Sequence, residues 1–351
     1  MDESTFVRQG EELSEAGLSD YLTENLSGFN ALHAIRQFPG GYSNLTYLIT
    51  TNVGDFVLRR PPFGTKARTA HDMAREFRIL QALAPVYGCA PKPVLLCEAE
   101  EVLGAPFYLM QKVEGVILRN RIPEGLDVSP ATMRRLSEVA VDNLVKLHAI
   151  DLEKTGLSAI GRPDGYVQRQ VDGWVRRFEQ ARTEEVDAMD ELAGWLQAHL
   201  PMGQAPALLH NDYKYDNLVF DSSLQHIRAV LDWEMCAVGD PLMDVGVMLG
   251  YWIQPGEAEA VVHSVANLTW LPGNLSRREL ADRYAEKSGR NMQDLLFYYI
   301  FGVFKIGVIV QQIYYRYRQG FTRDARFASL QMVVQAFSHL GRTALEYGAI
   351  R

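Results

Sequence analysis

The chain has 351 residues, 47% of them hydrophobic and 22% charged, enough for a sizeable core and incompatible with disorder of the whole chain. Thirty-five Lys and Arg stand against 43 Asp and Glu, a net charge of −8. With no basic stripe, nucleic acid is not an expected partner. Cys89, Cys97 and Cys236 fit neither a disulfide framework nor a zinc spacing, which predicts a reducing compartment. The polar start MDESTFVRQGEELSE is patterned as neither a secretory signal nor a transit peptide, so a cytoplasmic location is expected. At roughly 100–200 residues per domain the length predicts two domains, or one large domain with two lobes, and the two parts are expected as 1–112 and 113–351.

In chain order, residues 18–29 read as a short helix and Leu32–Phe38 as a strand broken by Pro39-Gly40-Gly41. Asn44–Thr50 and Asp55–Arg60 read as two strands about a turn at Thr51–Gly54. Ala67–Leu83 has Met73, Phe77, Leu80 and Leu83 at helical spacing. Val94–Cys97 and Pro106–Lys112 complete a strand-rich first part. Beyond a Pro/Gly-containing stretch, helices are predicted over Ala131–Ala149 and from about Trp174 to His199. The remainder from Val245 reads as aromatic-rich helices. The run LLFYYIFGVFKIGVIV, interrupted by Lys305, is short of the ~18 apolar residues of a spanning helix. It predicts a buried helix and no membrane.

The chemistry concentrates between Leu208 and Val245. His210-Asn211-Asp212 is followed five residues later by Asn217, then by short strands at Leu218–Phe220 and Ile227–Leu231. In an antiparallel hairpin that sets 219 opposite 230, Asn217 lies opposite Asp232. An amide and a carboxylate converging beside Asp212 make an oxygen-ligand site suited to Mg²⁺. Taken singly, each motif is also an ordinary loop or strand end. No GxxxxGK[ST], GxGxxG or HExxH occurs, so a P-loop enzyme, a Rossmann fingerprint and a zincin are not supported.

HxDxxxxN followed by a strand-ending Asp resembles the catalytic core of the protein-kinase-like fold. The form HND-x₄-N, LDWE, GDPLMD resembles specifically the aminoglycoside phosphotransferase and choline kinase-like family of small-molecule kinases. The resemblance implies an α+β, bilobal fold, with a small antiparallel-sheet N-terminal lobe plus helix and a larger, mostly helical C-terminal lobe. It implies ATP and Mg²⁺ as cofactors and a small-molecule hydroxyl as acceptor. By the same resemblance Asp212 is the catalytic base, Lys214 neutralises charge on the transferring group, and His210 braces the loop. Asn217 and Asp232 hold Mg²⁺, Asp244 accepts backbone N–H bonds from the loop, and Asp240 caps the helix that follows.

On the nucleotide side, strand alternation puts Val57 and Arg59 on one face and Phe56, Leu58 and Arg60 on the other. By resemblance Val57 lines the adenine site, and Arg59, where related kinases have lysine, reaches the phosphates with Glu76 as its ion-pair partner. Arginine keeps the charge and adds a planar fork, and Arg60 is the alternative for that role. Gly41, Ser43 and Asn44 belong to a stretch resembling the phosphate-covering loop, while backbone groups of Gln111 and Val113 occupy the adenine-binding hinge.

The acceptor side falls to Tyr251, Trp252 and the stretch Tyr314–Arg318. The last 60 residues carry no carboxylate cluster for a polycation, and Arg316, Arg318, Arg323 and Arg326 point to a neutral or anionic acceptor. VLRRPP, SNLTY and LGYWIQPGE also resemble the kinase-like domains associated with acyl-CoA dehydrogenases, whose acceptor is a hydroxylated acyl-CoA. A module that binds nucleotide without transferring phosphate is the competing expectation. Retention of Asp212, Asn217 and Asp232 together speaks against it, and Arg59 in the lysine position keeps it open.

Overall fold

Alternation and a two-residue turn build the first sheet. β2 (Leu45–Thr51) and β3 (Gly54–Arg60) pair antiparallel with Thr51 opposite Gly54 and Leu45 opposite Arg60. Gly54 has φ +131, a conformation that a side chain would disfavour at this turn. β1 (Leu32–Gln37), β4 (Pro93–Cys97) and β5 (Phe107–Gln111) complete an antiparallel sheet in the order β1-β2-β3-β5-β4. The computed structural model describes residues 4–39, 44–63, 72–119, 121–257, 261, 268–322 and 324–350. They form two compact units. One comprises 1–117, 219–223 and 227–234, the other 118–218, 224–226 and 235–351.

In the first unit, Phe56 and Leu58 of β3 pack with Tyr47, Ile49, Phe107 and Leu109 against Leu18 and Leu22 of α1 (Glu15–Asn25). This helix begins three residues earlier than its pattern suggests because Ser14 accepts the Gly17 N–H. It ends before Gly28, which adopts φ +78. α2 (Met73–Leu83) starts where Asp72 accepts the Arg75 N–H, and the expected start at Ala67 lies outside the described residues. α2 buries Glu76, Phe77 and Leu80, and Phe77 meets the ring of Tyr108. A short α3 (Glu100–Leu103), absent from the pattern, ends at Gly104 with φ +78. β6 (Val116–Ile117) pairs with β8 (Leu218–Phe220), and β9 (Ile227–Val230) is the next strand of that sheet.

The second unit is mostly helical. α4 (Pro130–His148) has Pro130 in its first turn and Ser129 as its cap. α5 (Leu152–Thr155) follows. The single helix expected over Trp174–His199 is two, α6 (Tyr166–Gln180) and α7 (Asp187–Ala198). The break is tertiary in origin, for Gln311 donates to the Ala181 carbonyl at 2.8 Å and to Thr183 Oγ1 at 2.9 Å. β7 (Ala207–Leu209) pairs with β10 (Ala237–Gly239). α8 (Leu242–Tyr251), α9 (Arg277–Ser288), α10 (Leu295–Arg318) and α11 (Leu330–Tyr347) complete the unit.

α10 contains the apolar run around Lys305. It is long and apolar enough to cross a bilayer, yet 72% of its most apolar window is buried in the unit. It crosses α8 at backbone contact. A Cβ on Gly246 would stand 2.0 Å from the Tyr298 carbonyl oxygen, and one on Gly302 would stand 2.1 Å from the Gly246 carbonyl oxygen.

Candidate functional site

In the first unit, β3 carries Arg59 onto the face where α2 presents Glu76. Arg59 Nε lies 3.4 Å from Glu76 Oε1, while Nη2 lies 2.9 Å from Asp232 Oδ1 and 3.7 Å from Glu234 Oε2. Arg59 and Glu76 are buried, and the Asp232 carboxylate is one-third exposed. Asp232 has φ +67, left-handed backbone for a non-glycine residue at the end of a strand. The turn that follows is anchored by buried Trp233, whose indole N–H donates to the Val230 carbonyl at 2.8 Å and whose ring meets Tyr87 edge-on. Burial by itself would push the Arg59 guanidinium down, but Glu76, Asp232 and Glu234 hold it well above its ordinary value. Burial pushes the Glu76 carboxyl up, opposed by Arg59.

Arg60 faces the other way, as alternation requires. It donates to the Leu103 carbonyl at 2.7 Å and lies 3.7 Å over Phe63, which takes it out of the Arg59 cluster. Val57 is buried on the face of Arg59. Asn44 is buried and donates to Glu234 Oε2 at 2.8 Å, which ties the start of β2 to the Asp232–Glu234 turn. Gly41 and Ser43 lie outside the described residues. Gln111 ends β5 with its N–H donated to the Lys92 carbonyl, so the carbonyl of Gln111 is the backbone group it has to offer a ligand. Val113 lies two residues beyond the strand.

In the second unit, the chain leaves β7 into His210-Asn211-Asp212. Asn211 has φ +64. The Asp244 carboxylate, fully buried on α8, accepts the His210 N–H and the Asn211 N–H, each at 2.6 Å, and meets His148 Nε2 at 3.2 Å. This is the support expected of Asp244. His148 Nδ1 in turn meets the Tyr284 hydroxyl at 2.7 Å. The Asn211 side chain donates to the Met235 carbonyl at 2.9 Å and meets the Tyr166 hydroxyl at 3.0 Å. His210 Nδ1 accepts the Asp212 N–H at 3.2 Å, the bracing role expected of it. Asp240 caps α8 by accepting the Leu242 N–H at 2.9 Å.

The Asp212 carboxylate is 3.1 Å from Lys214 Nζ and accepts from Asn217 Nδ2 at 2.9 Å. Lys214 Nζ is also 3.6 Å from Asp216 and 4.6 Å from the centre of the Tyr251 ring. Burial would lower the Lys214 ammonium, but Asp212, Tyr251 and Asp216 hold it well above its ordinary value. Burial lifts Asp216 to about 6, against the opposing pull of Lys214. Asp244 lies below its usual value, since the His148 hydrogen bond and the nearby histidines outweigh burial.

Two observations test the fit to a divalent cation. In the first unit the Asp232 carboxylate, one-third exposed, supplies the hard oxygen that a divalent cation takes. In the second, Asn217 makes its hydrogen bonds through Nδ2, which leaves Oδ1, the ligating atom, outside them. Among the described residues no three His, Cys, Asp or Glu side chains converge as a metal site.

Sequence reasoning missed Glu234, His148, Tyr166 and Lys305. Lys305 Nζ donates to the Asn211 carbonyl at 2.6 Å, and its signal was visible as a lone charge in an apolar run. On the acceptor side, Trp252 is buried with its indole N–H on the Leu275 carbonyl. Arg318 is paired with Glu184 at 2.7 Å and Arg326 with Asp324. The positive character read into the C-terminal arginines is therefore partly neutralised, by Glu184 from elsewhere in the chain and by neighbouring Asp324. Arg323 lies outside the described residues.

Comparison with known proteins agrees with this geometry. The chain is 34% identical over 323 residues to acyl-CoA dehydrogenase family member 11 of Gallus gallus, covering 90% of this chain and 41% of that protein. Among solved structures it resembles a Ralstonia eutropha JMP134 protein provisionally described as an aminoglycoside phosphotransferase. The TM-score is 0.79 at 28% identity, over 96% of this chain and 99% of that one. It shares the fold of the amicoumacin kinase hAmiN, solved with AMP-PNP, Ca²⁺ and its antibiotic, at TM-score 0.59 and 12% identity over 94% of each chain. These likenesses give it a protein-kinase-like fold, with an antiparallel sheet in its N-terminal part and helices in its C-terminal part. The model of the phosphotransferase enzyme family matches residues 34–281, and the chain belongs to that family.

Proposed function

We propose that this phosphotransferase moves the γ-phosphoryl group of ATP, with Mg²⁺, to a hydroxyl of a small molecule. The observation that carries the reading is the fixing of Asp212. Its loop is held by Asp244 through two backbone N–H groups, and its carboxylate is partly exposed and oriented by Asn217 and Lys214. The acceptor oxygen forms its bond to the γ-phosphorus as the bond to the β–γ bridging oxygen breaks, releasing ADP. The acceptor proton passes to the Asp212 carboxylate as the hydroxyl becomes acidic late in transfer. Lys214 offsets charge on the transferring group. Asn217 and Asp232 are the residues that would hold Mg²⁺, and the ion would supply charge neutralisation at the phosphates. Arg59 would serve the phosphates and Val57 the adenine.

For the acceptor we propose a hydroxyacyl-CoA. The kinship with acyl-CoA dehydrogenase family members supports it, as does the scarcity of Asp and Glu in the last 60 residues of the sequence. The test is ADP release with Mg²⁺ across hydroxyacyl-CoAs, aminoglycosides, choline, homoserine and sugars, comparing the native chain with Asp212→Asn. The expected result is stimulation by a hydroxyacyl-CoA and a loss of about 10²–10⁴-fold in the variant. Stimulation by another acceptor alone overturns the acceptor class. ATP binding with no stimulation by any acceptor favours a nucleotide-binding module without transfer.

A further inference from the structure

Lys305 sits in the middle of α10, within a run of buried residues from Phe297 to Val308. It is 3% exposed. A buried ammonium is unfavourable unless it is paired, and among the described residues no carboxylate stands within ion-pair distance of it. Its hydrogen bond goes to the Asn211 carbonyl at 2.6 Å, and its Nζ lies 5.4 Å from the Trp174 ring centre. A methionine would fill the same space in an apolar helix without desolvating a charge. The site therefore uses the charge for something other than packing.

That use is visible in the peptide bond that leads into Asp212. The carbonyl of this peptide belongs to Asn211 and accepts from Lys305, and its N–H belongs to Asp212 and is accepted by His210 Nδ1. The preceding N–H is fixed by Asp244. With both polar groups of the peptide held, the plane cannot rotate, and the direction in which Asp212 leaves the backbone is set. Asn211 itself is in left-handed backbone, φ +64.

We propose that Lys305 is a positioning residue for phosphotransfer, clamping the Asn211–Asp212 peptide so that the Asp212 carboxylate is aimed at the acceptor hydroxyl. This rests on the phosphotransferase reading above. The charged groups around Lys305 are Asp212 and Lys214 of the loop, Asp244 of α8 and Arg177 of α6. α7 and α11 bring Met189 and Phe337 to neighbouring Gly307. Burial lowers the ammonium to about 8, with Asp212 and Asp244 opposing, so the clamp weakens as pH rises through that value.

The test pairs kinetics with hydrogen exchange on the full chain. In Lys305→Met, kcat is expected to fall about 10–100-fold, the scale of a misdirected catalytic group, with KM for ATP within about twofold of native. In the native chain kcat falls as pH rises through about 8, and Lys305→Arg moves that limb upward by at least about one pH unit. Amide exchange across residues 208–217 is expected to speed up at least about tenfold in Lys305→Met, with α4 and α11 unchanged. Native kcat in Lys305→Met overturns the proposal, and so does unchanged exchange in the loop. If the native chain turns over no acceptor, the phosphotransferase reading fails, and exchange alone judges the clamp. If Lys305→Arg does not fold, the Met variant and exchange still decide.

Discussion

Arg59 in the first unit is held by charge. Three carboxylates lie within 3.7 Å of its guanidinium, two of them on a turn whose Asp232 is in left-handed backbone. Asp212 in the second unit is held through its own backbone as well as its side chain. Asp244, His210 and Lys305 grip the peptides on its N-terminal side, and its carboxylate meets the side chains of Asn217, Lys214 and Tyr251. The difference suits two tasks. Under the proposed function Arg59 meets a charged ligand, which can share its carboxylate partners. A group that takes a proton needs direction, which two fixed peptide planes provide better than a flexible ion pair.

Breaking the first arrangement gives the largest expected effect. Arg59→Met leaves Glu76 buried without its cation and is expected to destabilise the chain by about 3–5 kcal/mol in urea unfolding. Adding Glu76→Gln recovers more than half of that loss. A single-variant effect below about 1 kcal/mol would show that side-chain pairing is not what holds the first cluster. The second arrangement is probed at the α8–α10 crossing. Gly246→Ala puts a methyl against a carbonyl oxygen and is expected to cost about 2–3 kcal/mol, with a fall in kcat because Asp244 moves with α8. Unchanged unfolding in that variant would mean that the helices slide apart freely. The smallest effect is at the start of α2, where Asp72→Ala removes a cap worth about 1 kcal/mol. Its activity should stay within about twofold of native, since Glu76 is bonded from β3. A larger loss would place the control of Arg59 in the helix rather than in the ion pair.

Much of this was legible where one local rule governs. The period of two along β3 predicted that Arg59 and Arg60 would part company. The HND-x₄-N spacing gathered Asp212 and Asn217, while the place of Asp244 against the loop came from the family resemblance of GDPLMD. The rest depends on partners far along the chain. Ala181–Val186 contains neither Gly nor Pro, so nothing local announces the break between α6 and α7; Gln311 makes it from 130 residues away. Lys305 is 94 residues from Asn211 and surrounded by residues that describe a core. Glu234 sits in a single turn with no periodicity to assign its direction. The acceptor argument read arginines without their acids, and Glu184 could be matched to Arg318 only in three dimensions.

The α8–α10 crossing has a consequence for how such a chain can diversify. Asp244 lies two residues from Gly246 and Lys305 three from Gly302, so both anchors of the loop hang from a seam of bare backbone. At Gly246 and Gly302 backbone meets backbone, so neither position has a side chain to exchange for a slightly smaller one. The seam itself is closed to gradual change, because the smallest possible step at either glycine is already a collision.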